Sequence, residues 1–232
     1  SPMSRGLGDV YKRQHRALAR EAVRKSLVML KNNNGVLPVK SGSRVLIAGD
    51  AANNIAKQSG GWSLTWQGTG NQNSDFPGAT SILAGLQSAI EHTGGESHYA
   101  ADGQWQASDF GEAGRPDVAI VVFGEEPYAE WHGDLINIEY QYADKRDLRL
   151  LQALQAQGIP VVSVFITGRP LWINKELNAS DAFVVAWLPG TEGAGIADVV
   201  IADSDDNAPY DLQGRLSFSW PKYVSQARLN FD

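Results

Sequence analysis

Hydrophobic residues along this chain occur in two patterns, short unbroken runs and runs with helical spacing. The unbroken runs predict buried strands at residues 44–48, 118–123, 161–166 and 183–187, and a shorter run adds a strand at 96–100. The helical spacing predicts helices at residues 16–30, 81–90, 147–157 and 191–201. Unbroken apolar strands that alternate with helices are typical of a parallel sheet covered on both faces. We therefore predict an α/β fold, a three-layer α/β/α sandwich with a mainly parallel sheet and right-handed crossovers.

The ends of the first and last helices are predicted from local signals. The first helix is predicted from apolar residues near helical spacing among Arg, Glu and Lys, namely Leu18, Ala22, Leu27 and Leu30. Residues 32–35 (Asn-Asn-Asn-Gly) then end it, because Gly35 readily adopts the left-handed conformation of a helix terminus. At the last helix, Glu192 would favour the positive amino-terminal end.

Composition narrows the classes of protein that the chain can represent. With 232 residues and 43% hydrophobic residues, it is long and apolar enough for one large packed domain. The net charge of -6 and the scattered basic residues argue against a nucleic-acid-binding surface. No apolar run approaches the roughly 20 residues that cross a bilayer, so we expect no membrane partner. Cysteine is absent, which excludes disulfides and thiolate chemistry but does not place the protein in a compartment.

The amino terminus differs in character from the rest of the chain. Residues 1–14 (SPMSRGLGDVYKRQ) lack the apolar core of a signal peptide and resemble translated adapter sequence at the end of a metagenomic reading frame. We interpret residues 1–14 as a non-native tail without an evolved fold, and residues 15–232 as one domain. On this interpretation the natural gene continues upstream, and any export signal lies there.

Two long irregular stretches, residues 53–78 and 124–146, follow the first and third predicted strands. In parallel sheets the loops after strands open into a crevice where ligands bind, so these stretches are the functional candidates. Residues 124–134 (GEEPYAEWHGD) combine three Glu and one Asp with aromatic residues, whereas residues 60–70 (GGWSLTWQGTG) are rich in Trp and amide. Composition alone favours an acidic surface loop for residues 124–134, but the Trp and amide side chains of residues 60–70 are typical of sugar-binding surfaces.

Other kinds of site find little support. The four His residues are too dispersed to predict a metal site. The Gly-Thr-Gly at residues 68–70 lacks the third Gly of a dinucleotide fingerprint, and no Gly-Lys-Ser/Thr phosphate loop occurs. We therefore expect neither a metal nor a nucleotide cofactor.

Several short motifs, in order, carry a resemblance to a known family. They are HRALAREAVRKS (15–26), LKN (30–32), LP (37–38), GGWSLTWQGTG (60–70), GEEPYAEWHGD (124–134), TGRP (167–170), AWLPGTEG (186–193) and GRL (214–216). From about His15 to about Pro221 the chain resembles the carboxyl-side domain of glycoside hydrolase family 3. Within the family it is most similar to the exo-acting β-glucosidase and β-glucan glucohydrolase branch.

The resemblance implies a division of catalytic roles between two domains. In this family the nucleophile is an Asp on an upstream (β/α)8 barrel domain, which this chain does not contain. The acid/base is a Glu of the second domain, which corresponds to Glu130 in Pro-Tyr-Ala-Glu. An acid/base needs a raised pKa, and we expect burial beside Tyr128 and Trp131 to provide it. The alternative is that Glu130 is a solvated loop residue.

Glu125 and Glu126 are rival candidates for the acid/base. Both lie closer to the strand end, and we expect them to fix the loop through backbone hydrogen bonds. Arg169, in Thr-Gly-Arg-Pro, is expected to lock a loop rather than to contact sugar.

Two tryptophans are candidate substrate-binding residues. Trp66 matches a family residue that walls the aglycone slot, where an indole face stacks on a sugar ring. The alternative is a core Trp, but its loop is polar and rich in Gly. Trp62 is the second candidate, and it could instead pack under the loop.

The resemblance implies a retaining exo-β-glucosidase that acts on β-linked glucans or gluco-oligosaccharides without a cofactor. Its partners would be that substrate and the upstream barrel of the same polypeptide, and the chain alone is expected to be inactive. The resemblance also favours a periplasmic or secreted enzyme. The alternative function is a stand-alone carbohydrate-binding or interaction module, which the length of the authentic gene would distinguish. The hexosaminidase branch takes its acid/base from the barrel, so Glu130 favours the glucosidase branch, whereas xylosidase specificity stays open.

Overall fold

A computed structural model describes residues 2–229 of the chain. Within them, six strands form one sheet in the order β1-β6-β5-β4-β2-β3. The strands are β1 (Val28–Asn32), β2 (Arg44–Ala48), β3 (Glu96–Tyr99), β4 (Val118–Gly124), β5 (Val161–Ile166) and β6 (Ala182–Trp187). The helices are α1 (Pro2–Ser26), α2 (Ile55–Ser59), α3 (Ile82–His92), α4 (Arg146–Ala156), α5 (Asn174–Asn178) and α6 (Ala194–Val200). Strands β2 to β6 pair in parallel, and β1 pairs antiparallel to β6.

Helices cover both faces of the sheet, as the unbroken apolar strands predict. Val45 and Ile47 belong to one core cluster, with side chains of α1, α3 and α6. Leu46 and Ala48 belong to the other, with side chains of α4 and the neighbourhood of α5. Because successive side chains of a strand point to opposite faces, every position in such a strand is buried. The predicted α/β/α sandwich is confirmed.

The first predicted helix is wrong at its carboxyl end. Helix α1 ends at Ser26, and the next residues form edge strand β1, where Val28 is buried and pairs with Val185. The indole N–H of Trp187 donates to the carbonyl oxygen of Ser26 at 3.1 Å, which holds the chain at this junction. Apolar residues at 27, 28 and 30 fit a helix or a strand, so their spacing could not decide between the two.

Two further details differ from the predictions at the ends of the domain. The last helix begins at Ala194, so Glu192 precedes it, and its carboxylate pairs with Arg16 at 2.7 Å. Helix α1 begins at Pro2 and so runs through most of residues 1–14. The interpretation of residues 1–14 as a non-native tail stays a prediction. Among the helices of residues 2–229, none combines the length and apolarity that crossing a membrane requires.

The strand order creates a switch point between β2 and β4. From β2 the chain first adds β3 on one side and then crosses to β4 on the other, from which β5 and β6 continue. In open α/β sheets, ligands bind outside the carboxyl ends of strands at such a point. Since β2 and β4 are direct neighbours, the long loops that follow them, residues 53–78 and 124–146, emerge side by side.

Gly49, the first residue after β2, lets this exit pass closely over β4. Its φ is +90°, and a Cβ at this position would overlap the carbonyl oxygen of Val122 in β4. The same carbonyl accepts a hydrogen bond from the N–H of Ala51 at 3.1 Å. Close contact with β4 therefore fixes the start of the first candidate loop.

We predict that Gly49→Ala lowers the free energy of unfolding by more than the about 1–3 kcal/mol that backbone strain alone costs. The added methyl group would collide with backbone that cannot move aside without breaking the sheet. Gly42→Ala is the matched control, because Gly42 also has a positive φ of +67°, but no atom lies within 4 Å of the place that its Cβ would take. Urea denaturation of both variants measures the difference, and equal losses would contradict the prediction.

Candidate active site

The two candidate loops dock on each other over the carboxyl ends of β2 and β4. The side-chain amide of Gln67 accepts from the N–H of Ala129 at 2.7 Å and donates to the carbonyl oxygen of Glu130 at 3.0 Å. Gly61 lies so close to the other loop that a Cβ there would overlap the carbonyl oxygen of Tyr128. The amide of Gln67 thus holds the two backbones together beside Glu130, and the absence of a side chain at Gly61 lets them come this close.

Two indoles, those of Trp66 and Trp62, interact with the carboxylate of Glu130, and a third ring, that of Trp131, packs against Trp66. The indole Nε1–H of Trp66 donates to Glu130 Oε2 at 2.6 Å. The ring of Trp66 lies between those of Trp62, at 6.0 Å between centroids, and Trp131, at 5.0 Å in an edge-to-face contact. All three tryptophans are exposed to solvent. The exposed fraction of Trp66 is 43%, so Trp66 is a loop residue and not part of the core. We call Glu130, Trp62, Trp66 and Trp131 the indole cluster.

The backbone of the indole cluster is strained at two positions. Trp62 has a φ of 60° and Trp131 a φ of 69°, which is the left-handed region that bulky side chains rarely adopt. Strain of this kind persists only where surrounding contacts fix it, and it occurs preferentially at functional sites.

The pKa of Glu130 differs in direction from the prediction. Hydrogen bonding by the indole of Trp66 lowers the pKa below its ordinary value, and the indole of Trp62 contributes in the same direction. The expected burial beside Tyr128 and Trp131 is wrong for this chain, because Glu130 is exposed and Trp131 is exposed as well. The ring of Tyr128 lies instead under the guanidinium of Arg169, at 4.1 Å.

Glu125 and Arg169 form a clamp at the base of the loop. Glu125 Oε1 accepts from two nitrogens of Arg169 at 2.8 and 3.0 Å, and its Oε2 accepts from the hydroxyl of Thr167 at 2.8 Å. Arg169 also donates to the carbonyl oxygen of Gly133. Burial, with Glu125 nearby, raises the pKa of Tyr128 to about 12. Arg169 locks the loop, as expected.

Glu125 and Glu126 were expected to fix the loop through backbone hydrogen bonds. In the structure they do so mainly through their side-chain carboxylates. The backbone N–H of Glu125 does donate to the carbonyl oxygen of Ile166 at 3.0 Å, but both oxygens of its carboxylate are engaged in the clamp. Glu126 Oε1 contacts the ammonium of Lys57 at 2.7 Å. Of these three carboxylates, Glu130 is the one that accepts a hydrogen bond from an indole N–H.

The sequence analysis missed Lys57 and left the role of Gln67 undecided between a contact with sugar and a contact with the barrel. The clue for Gln67 was its place beside Trp66 in a loop that had to meet a second loop. The clue for Lys57 was a lone charge among apolar and amide residues, in Asn-Ile-Ala-Lys-Gln (54–58). Within residues 2–229, no group of three or more His, Asp or Glu side chains could hold a metal ion.

The chain matches a family model described as the glycosyl hydrolase family 3 C-terminal domain, over residues 27–231. The lysosomal beta glucosidase of Dictyostelium discoideum is 34% identical over an alignment of 221 positions, and the alignment covers 90% of this chain and 26% of the relative. The periplasmic beta-glucosidase of Salmonella typhimurium is 32% identical over an alignment of 244 positions including gaps, and the alignment covers 92% of this chain and 29% of the relative.

A solved structure agrees with this fold closely. The exo-1,3/1,4-beta-glucanase from a Pseudoalteromonas species superposes with a TM-score of 0.87 and 58% sequence identity, over 92% of this chain and 26% of that chain. The chain therefore spans between 26% and 29% of the length of these three relatives.

We predict that Trp66→Phe raises the pKa of Glu130 toward the ordinary value of a carboxyl group. The substitution keeps an aromatic ring but removes the N–H that favours the charged form. Trp62→Phe should raise the pKa less, and the remote Trp105→Phe should leave it unchanged. An NMR titration of the Glu130 side-chain carboxyl carbon measures all three variants. If Trp66→Phe leaves the pKa where it is, the indole hydrogen bond does not control it.

Proposed function

Because this chain belongs to glycoside hydrolase family 3, of which it contains the C-terminal domain, we propose that it supplies the acid/base of a retaining exo-acting β-glucosidase. The proposed acid/base is Glu130, and the proposed substrates are β-linked glucans or gluco-oligosaccharides. The observation that carries the proposal is the carboxylate of Glu130 held by the indole of Trp66 at the switch point of the sheet. The names of the three relatives, two β-glucosidases and an exo-glucanase, support the substrate class.

Retaining hydrolysis requires a second carboxylate, which we place on an upstream barrel domain of the same polypeptide. In the first step that nucleophile attacks the anomeric carbon while the Glu130 carboxyl group gives its proton to the departing glycosidic oxygen. In the second step the Glu130 carboxylate takes a proton from water, whose oxygen attacks the anomeric carbon and releases the nucleophile. The chain alone would then be inactive, because it holds one of the two required carboxyl groups.

The lowered pKa of Glu130 in this chain suits the second step, in which it must be ionised. The first step requires a protonated Glu130. Covering the site would raise the pKa of Glu130, because removing water disfavours the charged form. The two loops carry exposed apolar side chains that such a cover would contact, namely Trp62, Leu64, Trp66, Trp131, Leu135 and Ile136. Clusters of such side chains on soluble proteins mark sites of association. We propose that the barrel domain covers these side chains and balances the pKa between the two roles.

The aromatic rings would bind the sugar beyond the cleaved bond. We propose that Trp66 presents one face to the aglycone, since the apolar C–H face of a pyranose stacks on indole at little cost in entropy. Trp62 is the second proposed contact. The two curated relatives are named as a lysosomal and a periplasmic enzyme, which supports export of this protein to the periplasm or beyond.

A test of Glu130 needs both domains, so we suggest a chimera in which this chain follows the upstream part of the Pseudoalteromonas enzyme. Glu130→Gln should lower kcat/KM about 10²–10⁴-fold for substrates with poor leaving groups. A dinitrophenyl glucoside should lose much less at the glycosylation step, because its leaving group needs little protonation. Azide should restore turnover where deglycosylation has become limiting, because it attacks without a general base.

Glu125→Gln and Glu126→Gln are the matched controls for Glu130→Gln. Each should cause a smaller loss without rescue by azide, because their carboxylates hold the loop. An equal loss of Glu130→Gln on all substrates, without rescue, would show that Glu130 is structural and would overturn the proposed function.

Trp66→Ala should reduce kcat/KM for cellobiose and laminaribiose by roughly 5–30-fold more than for a small aryl glucoside, which corresponds to about 1–2 kcal/mol of stacking. Trp66→Phe is the control that removes the N–H but keeps a ring face, so it should retain part of the disaccharide preference. A thermal melt accompanies the kinetics, because loss of an exposed loop residue should change the melting temperature little. A large drop in melting temperature with unchanged specificity would contradict the proposed sugar contact.

A further inference from the structure

Lys57 is a buried cation beneath the docked loops. Its side chain is 2% exposed and extends from α2, whose amino terminus is capped by the side chain of Asn54. The ammonium contacts Asp50 Oδ2 at 2.9 Å and Glu126 Oε1 at 2.7 Å. A buried ammonium is costly unless it is paired, so these two contacts define where its partners must lie.

Asp50 links Lys57 to the far end of the loop that carries Glu130. Asp50 Oδ2 also accepts from the guanidinium of Arg146 at 2.7 Å. Glu126 stands near the beginning of this loop, and Arg146 stands at its end, where α4 begins. Both ends of the loop are therefore joined through one carboxylate and one ammonium at the exit of β2.

The chain between Glu126 and Glu130 has little freedom to absorb a displacement. Pro127 has a fixed φ, is buried, and lies against Gly68 of the other loop. The N–H of Ala129 is held by Gln67 at 2.7 Å. A shift of Glu126 would be passed along this segment to the carboxylate of Glu130.

We propose that Lys57 is a positioning residue, which sets the place of the Glu130 carboxylate by holding both ends of its loop at the switch point. The catalytic consequence of this role rests on the function proposed for Glu130, whereas the geometric role does not. Small errors in placing a catalytic group are expensive, since a displacement of about 1 Å can cost about 10²-fold in rate.

The geometric role is tested on the 232-residue chain itself. Lys57→Met should shift or broaden the indole N–H resonance of Trp66 in a ¹H–¹⁵N spectrum, because the hydrogen bond to Glu130 loses its fixed acceptor. The pKa of Glu130 should move toward the ordinary carboxyl value. Arg44→Met is the matched control. It removes the ion pair with Asp117 at the amino ends of β2 and β4, away from the site, and should change neither the Trp66 resonance nor the pKa of Glu130.

Glu126→Gln is the second variant, for the case that Lys57→Met does not fold. The Glu126 side chain is 70% exposed, so its replacement leaves the core and the Lys57–Asp50 pair in place. It should change the Trp66 resonance in the same direction but less. An unchanged resonance and pKa in either folded variant would overturn the positioning role.

The catalytic consequence is tested in the two-domain chimera. Lys57→Met should lower kcat about 10–100-fold for a poor leaving group, with a smaller loss for the dinitrophenyl glucoside and little change in KM. In the Glu130→Gln background the same substitution should add almost nothing, because Lys57 acts through Glu130. Additive losses would overturn the proposal. If Glu130→Gln itself behaves as a structural variant, the proposed function fails, while the spectra of the single chain still decide the role of Lys57.

Discussion

The adjacency of β2 and β4 in a parallel sheet is the constraint on which the candidate site depends. Parallel strands end at the same edge, so the loops after these two neighbours must leave the sheet together. Gly49 allows the first loop to pass close to β4, and Gly61 allows it to approach the second loop. The side chain of Gln67 then joins the two loops through hydrogen bonds to backbone groups of the second. The indole cluster exists because of this docking: Trp66 belongs to one loop and Glu130 to the other.

The carboxylates around the site fall into two groups, those that are paired with a cation and one that is held by neutral donors. The carboxylates nearest the strand end are neutralised, Glu125 by Arg169 and Glu126 by Lys57. Among the residues that the structure describes, the donors to Glu130 are neutral N–H groups, which lower its pKa through hydrogen bonding and not through an opposite charge. A carboxylate held by neutral donors keeps a pKa that responds to removal of water, whereas a salt-bridged carboxylate would stay ionised. This difference supports the proposal that Glu130 transfers the proton.

The sequence predicted the features that depend on local pattern. Buried strands such as β4 and β5 were recognisable because both faces are covered, and the candidate loops because they are long, irregular and follow strands. The turn from α1 into β1 was missed because residues 27–30 fit both spacings. The pKa direction of Glu130 was wrong and Lys57 was missed for a common reason. Both depend on partners from another loop, and residue type alone does not reveal which partner a side chain meets.

The left-handed backbone at Trp62 and Trp131 has a consequence for how this domain balances stability against activity. Glycine would adopt these conformations at less cost, and neither indole is buried in the domain core. For the stability of the fold alone, glycine would be more favourable than tryptophan at each of these two positions. The rings of both residues pack against Trp66, which helps to hold the strained backbone in place. The choice of tryptophan at these positions is therefore explained by the exposed rings that it provides and not by the stability of the fold.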